Sequence, residues 1–134
     1  MDLFTKLRGM KILLIDDDEW IRDSLTIFFE SEGCHITVLE TAEEALKELE
    51  GQNYDVIIAD YRLPSMDGIE FFGRIEESHS HAIKIILTAY KSKEVIAEAN
   101  RKGIQDFIDK PFSTKTIIET LSQLIKKRES KLRY

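Results

Sequence analysis

The sequence predicts a doubly wound α/β fold: a three-layer (βα)5 sandwich with a five-stranded parallel sheet in the order 2-1-3-4-5. Three observations predict it. Short, nearly uncharged apolar runs such as "KILLI", "DVIIA" and "IKIILT" recur along the chain, too short for core helices and suited to strands buried on both faces. Segments with apolar residues at helical spacing separate them, so that strand and helix alternate five times. Such alternation implies a parallel sheet, because each right-handed crossover lays its helix on one face. Finally, 134 residues without a linker rich in Gly, Ser or Pro, a repeat or a low-complexity tract suit one compact domain.

The elements follow in order. Residues 1–9, "MDLFTKLRG", read as a short polar leader, and the domain itself as 10–128. "KILLI" (11–15) is the first strand and runs into "DDDE". In "EWIRDSLTIFFESEG", Ile21, Leu25, Phe28 and Phe29 share a helical stripe that Gly33 ends, a residue suited to the turn after a helix. "HITVLE" is the second strand, and Thr41 with Glu44 forms a capping-box pattern opening "AEEALKELE". "DVIIA" (55–59) is the third strand, "GIEFFGRIEES" the third helix and "IKIILT" (83–88) the fourth strand. The helical "SKEVIAEANRKG", the short strand "QDFIDK" (105–110) and a last helix, "STKTIIETLSQLIKKRES", complete the chain, with 129–134 as a basic tail.

A net charge of −6 and a pI near 5.1 exclude the broad basic surface that nucleic-acid binding requires. The exception is the end of the chain, where Lys126, Lys127, Arg128, Lys131 and Arg133 outnumber Glu129, a placement that suits the negative end of a helix dipole. Cys34 is the only cysteine, so neither an internal disulfide nor a cysteine zinc cluster can form. The apolar runs are far below a membrane span, and the start has no apolar signal-peptide core. A cytoplasmic location is expected. In "ESHSHAI", His79 and His81 are expected in a polar loop, without a metal or phosphorelay role.

In sheets of this kind ligands bind beyond the carboxyl ends of the strands, where the strand order reverses. Those ends carry Asp16, Asp17 and Asp18 after the first strand, Asp60 after the third, Thr88 at the end of the fourth, and Lys110-Pro111 after the fifth. Asp18 or Glu19 is expected to cap the following helix. With strands one and three adjacent, the remaining carboxylates meet at one edge and repel unless a cation neutralises them. A hard divalent ion such as Mg²⁺ takes one or two carboxylates and leaves room for a phosphate. A buried strand therefore ends on Asp60 to bring a carboxylate to a metal, with Lys110 opposite to neutralise an incoming anion.

The blocks "ILLIDDDE", "IIADYRLPSMDG", "IILTAY" and "FIDKPF" resemble, in order and separation, those of the receiver domains of two-component response regulators, the CheY-like, flavodoxin-like fold. The resemblance covers about residues 10–128. It implies that Asp60 is the phosphoacceptor for a sensor histidine kinase or phosphotransfer protein, that Asp17 is a direct Mg²⁺ ligand, and that Asp16 acts largely through water. It further implies a metal contact from the backbone carbonyl of Arg62. Thr88 resembles the switch hydroxyl and Phe107 the switch aromatic, while Arg62 and Tyr90 occupy positions that tune phosphate lifetime; both are bulky, so slow loss of phosphate is expected. Lys110-Pro111 resembles a family position with a cis bond. The implied output surface is the fourth helix, fifth strand and fifth helix, about residues 91–128, which would bind a downstream effector or a second copy of the chain.

Such a chain catalyses its own phosphorylation and dephosphorylation without turning over external substrates. A phosphatase of the D-x-D type is disfavoured by Arg62, which stands where that pattern needs a second acid, and a nucleotide-binding module by the lack of a glycine-rich first turn. The alternative kept is a docking module with a receiver fold that works without phosphorylation.

Overall fold

The computed structural model describes residues 2–132 and has the expected architecture, with one helix more than expected. The order is α1 (Leu3–Arg8), β1 (Lys11–Ile15), α2 (Glu19–Ser31), β2 (His35–Leu39), α3 (Ala42–Gly51), β3 (Val56–Asp60), α4 (Gly68–Arg74), β4 (Ile83–Thr88), α5 (Lys93–Arg101), β5 (Asp106–Asp109) and α6 (Thr114–Leu132). The strands form one parallel sheet ordered β2-β1-β3-β4-β5.

Strand alternation divides the core in two. Leu13 and Ile15 of β1 face a layer built by α3, α4 and α5, whereas Ile12 and Leu14 face α1, α2 and α6. With both faces covered, every residue of β3 and β4 is buried, including Lys84, whose ammonium pKa burial lowers against the opposing charge of Glu76.

The helix boundaries follow their caps. Asp18 accepts from the amides of Trp20 (2.9 Å) and Ile21 (3.3 Å), Thr41 and Glu44 form the reciprocal capping box, and Asp67 accepts from Glu70 N at 2.8 Å. After α2, Gly33 takes φ +78°, the left-handed turn expected of it.

The structure refines the sequence expectations at three places. Within the polar leader, residues 3–8 form α1: Leu7 is wholly buried, Phe4 meets Phe28 edge-on at 6.3 Å, and Lys6 pairs with Glu129 at 2.7 Å. Six residues are too few to show a helical period, and α1 is held by packing rather than by propensity. At the other end, residues 129–132 of the tail continue α6; Met1 of the leader and Arg133 and Tyr134 of the tail lie outside the described residues. Finally, the expected helix over 68–78 stops at Arg74, and His79 lies in the turns before β4 as expected, but buried rather than on a polar surface. Only 5% exposed, it approaches the Leu49 carbonyl to 2.9 Å through Nε2, and its amide bonds back to Ile75 O. His81 remains exposed.

Candidate functional site

Strand register builds the site. Ile15 lies opposite Ala59, so the residues that follow each, Asp16 and Asp60, leave the sheet side by side. Asp60 is itself opposite Leu87, which brings β4's last residue, Thr88, to the same rim. Thr88 pairs with Asp109, so Lys110 is the first residue beyond β5 there, and its amide donates to Thr88 O at 2.8 Å.

Asp16 is wholly buried and Asp60 is 7% exposed, while Asp17 is open to solvent. One carboxylate oxygen from each of the three lies within 4.8 Å of the others. Lys110 spans the two buried acids, its Nζ 3.0 Å from Asp16 Oδ2 and 3.2 Å from Asp60 Oδ2. The other oxygen of Asp16 accepts from Asp18 N at 2.9 Å. Burial and the charge of Asp16 raise the pKa of Asp60, against the lowering effect of Lys110. Burial alone would lower that of Lys110, but its bonds and charge interactions with Asp16 and Asp60 outweigh this and raise it. One cation thus faces three carboxylates. The donor set is all oxygen and carries surplus negative charge, which fits a hard divalent ion.

Around the acids the loops are tightly defined. Arg62 N lies 3.4 Å from Asp60 Oδ1, and Gly68 N donates to Tyr61 O at 2.8 Å, folding the 61–68 loop back on the end of β3. A Cβ on Gly68 would stand 2.7 Å from Asp60 O and 3.3 Å from Tyr61 Cα, so only glycine allows this approach. Thr88, 3% exposed, donates from Oγ1 to Tyr90 O at 2.5 Å and accepts from Tyr90 N at 3.0 Å. Tyr90 itself is exposed, and Phe107 is half-buried against the α3–α5 core layer. The Lys110-Pro111 bond is cis.

Residues 12–122 match the model of the response regulator receiver domain. The chain belongs to the response regulator receiver family. This receiver is 37% identical over 119 residues to an uncharacterized 14.6 kDa protein from the sodA1 3′ region of Leptolyngbya boryana, covering 87% of this chain and 91% of that one. It is 31% identical to the transcriptional regulatory protein FixJ of Bradyrhizobium diazoefficiens, over 88% of this chain but only 58% of FixJ. Among solved structures it resembles the beryllofluoride-activated NtrC4 receiver domain dimer, with a TM-score of 0.79 and 31% identity over 87% of this chain and 97% of that one.

In this receiver Asp16, Asp17, Asp60 and Lys110 meet at one rim, and Thr88 sits beside them on the adjacent strand. Phe107 is one position from Ile108 and faces the opposite core layer, and Tyr90 points to solvent. Two contributors escaped the sequence reading. Gly68 carries no local signal of its role, which depends on the backbone approach of the 61–68 loop to the end of β3. Arg22, whose Nη1 donates to Asp16 O at 2.9 Å and whose Nη2 lies 3.5 Å from Glu40, sits one and a half turns after the acids and carries no motif. No described helix is long and apolar enough to cross a membrane.

Proposed function

We propose that this receiver takes a phosphoryl group onto Asp60 from the phosphohistidine of a sensor histidine kinase or phosphotransfer protein, in a Mg²⁺-dependent reaction. The observation that carries this reading is Lys110 Nζ set between Asp16 and Asp60, at 3.0 and 3.2 Å, beside an oxygen cluster suited to a hard ion. An Asp60 oxygen attacks phosphorus, the phosphorus–nitrogen bond breaks, and the imidazole leaves as an acyl phosphate forms. Asp17 and Asp60, the Arg62 carbonyl and, through water, Asp16 would hold Mg²⁺, which when bound offsets charge on the phosphoryl oxygens. Lys110, kept protonated by its two carboxylates, offers the second positive charge. The catalysis asked of the chain is positioning and electrostatics.

Thr88 then exchanges its bond to Tyr90 O for one to the phosphoryl group, Phe107 moves inward, and the surface of α5, β5 and α6 changes its affinity for an effector or a second copy. The solved NtrC4 receiver is described as a dimer, which supports self-association as one output. The chain acts on itself rather than on external substrates, and it works in the cytoplasm beside its kinase. Arg62 and Tyr90 shield the acyl phosphate from water.

Intact mass after incubation with acetyl phosphate and Mg²⁺ tests the reading. The wild-type protein gains one phosphoryl group, whereas Asp60→Asn and the metal-free sample do not. No gain in folded wild-type protein that binds Mg²⁺ would leave a docking module independent of phosphorylation.

A further inference from the structure

At the opposite end of the sheet from Asp60, a cleft of about 470 Å³ opens between the C-terminal part of α6 and the starts of β4 and β5. Its floor is aliphatic: Ile83, Ile104 and Leu124. Three cations, Lys127, Arg128 and Lys131, line it from α6, and among the described residues no carboxylate does. That is unusual in an acidic chain. The clefts beside β2, Lys84, Trp20 and α1 each include at least one Asp or Glu in their lining.

Within this cleft Arg128 is incompletely satisfied. Its Nη1 is buried and has no hydrogen-bond partner among the described residues. That nitrogen has lost its water without replacement, so turning the side chain toward an acceptor in the cleft sacrifices no existing bond of Nη1 and gains one. A planar carboxylate matches the fork of donors that guanidinium presents. Lys127 and Lys131, both exposed, extend positive charge along the rim over roughly one helical turn. Gln105, also in the lining, commits its Oε1 to Lys84 N at 2.7 Å, so its amide nitrogen is the end left to donate.

We infer that this cleft binds an acidic peptide segment of a partner protein, seating an aliphatic side chain on Ile83, Ile104 and Leu124 and a carboxylate on Arg128. The apolar floor favours a peptide over a simple anion, because neither phosphate nor a nucleic-acid backbone has an aliphatic group to bury there. The inference deepens the proposed partner surface and rests on that reading for its location. The cleft exists without phosphate, however, so its occupancy can be measured in protein that has never been phosphorylated.

The test is ¹H–¹⁵N NMR titration of the whole unphosphorylated chain with a capped pentapeptide, leucine flanked on each side by two glutamates. The expected result is saturable shifts at the amides of Asn100, Ile104, Gln105 and residues 124–128, with none at Asp16 or Asp60. Loss of a charge-assisted contact should weaken binding roughly ten-fold in Arg128→Ala. Lys127→Glu, at an exposed position that leaves the fold undisturbed, should weaken it as well. Glutamine for the glutamates, or alanine for the leucine, should each reduce affinity. Absence of saturable shifts, unchanged affinity in both variants, or equal shifts from the alanine peptide, inorganic phosphate or a DNA duplex would overturn the inference. Failure here with a normal mass gain at Asp60 refutes the cleft alone; the converse refutes the phosphoacceptor reading alone.

Discussion

Replacing Asp60 by Asn should stabilise the metal-free protein. Asp60 has two like charges, Asp16 and Asp17, with oxygens no more than 4.8 Å away, and one opposite charge, Lys110 Nζ, at 3.2 Å. At an effective dielectric of about 20, each repulsion is worth about 3.5 kcal/mol and the attraction about 5 kcal/mol, which leaves a net penalty near 2 kcal/mol. Solvent at the exposed Asp17 reduces this, while the burial of Asp60, the largest cause of its raised pKa, adds to it, so a gain of about 1–2 kcal/mol is expected, or roughly 3–8 °C in Tm for a domain of this size. The asparagine carbonyl still accepts from Lys110. Thermal and urea unfolding in EDTA at low salt measure the difference. The pH dependence follows from the raised pKa of Asp60, an acid that binds its proton more tightly when folded. Its penalty is absent while it is protonated in both states and develops as pH rises from the ordinary carboxylate value through the raised one. The advantage of Asp60→Asn should therefore be smaller at acid pH, near the ordinary carboxylate value, than at pH 8, and millimolar Mg²⁺ should narrow it by stabilising the wild type more. A variant no more stable than wild type at pH 8 in EDTA would refute this charge accounting.

Gly68→Ala should lose about 1–3 kcal/mol of stability and accept phosphate more slowly from acetyl phosphate, because its Cβ would stand 2.7 Å from Asp60 O; unchanged denaturation and phosphorylation rates would show that the loop yields freely. Leu7→Ala should cost about 2–4 kcal/mol in urea unfolding without abolishing phosphorylation, since Leu7 is wholly buried far from the acids. Replacing Arg62 and Tyr90 together with small residues should shorten the acyl-phosphate half-life, followed by intact mass, and an unaltered half-life would remove their shielding role. Phe107→Ala should accept phosphate normally while its phosphorylation-dependent partner affinity, measured by calorimetry, weakens several-fold.

The sheet was legible because its residues answer to one constraint. A strand buried on both faces has to be apolar throughout, and β1, β3 and β4 are so nearly apolar that their ends could be placed within a residue. The acid at the centre of the site was legible for the opposite reason: Asp60 violates that rule at the last position of β3. Alpha1 was not legible, because burial of Leu7 and Phe4 depends on Phe28 and α6, which no local pattern announces. His79 misled for a related reason. Its neighbours are polar, yet its ring is drawn inward by the Leu49 carbonyl, 30 positions away. Gly68 shows the same limit at the site, for its absent side chain matters only once the loop folds onto Asp60 O.

The proposed switch can be weighed from the bonds of Thr88. Its hydroxyl has one proton, now given to Tyr90 O, so a phosphoryl oxygen can receive that proton only if the bond to Tyr90 is given up. A neutral bond is worth about 1 kcal/mol net and one to an ionised group about 1.5–3, so the exchange favours the phosphorylated arrangement by about 0.5–2 kcal/mol. Moving a two-state equilibrium from 1:99 to 99:1 needs about 5.5 kcal/mol. Thr88 alone therefore falls short. Completing the burial of the half-buried Phe107 adds about 1 kcal/mol, half of what a full aromatic burial contributes. The largest remaining source is Lys110, whose bonds to Asp16 and Asp60 are the contacts that a phosphoryl group on Asp60 would most directly rearrange. On these magnitudes Phe107→Ala should reduce the shift several-fold rather than abolish it, whereas loss of the Lys110 ammonium should uncouple phosphorylation from the output surface.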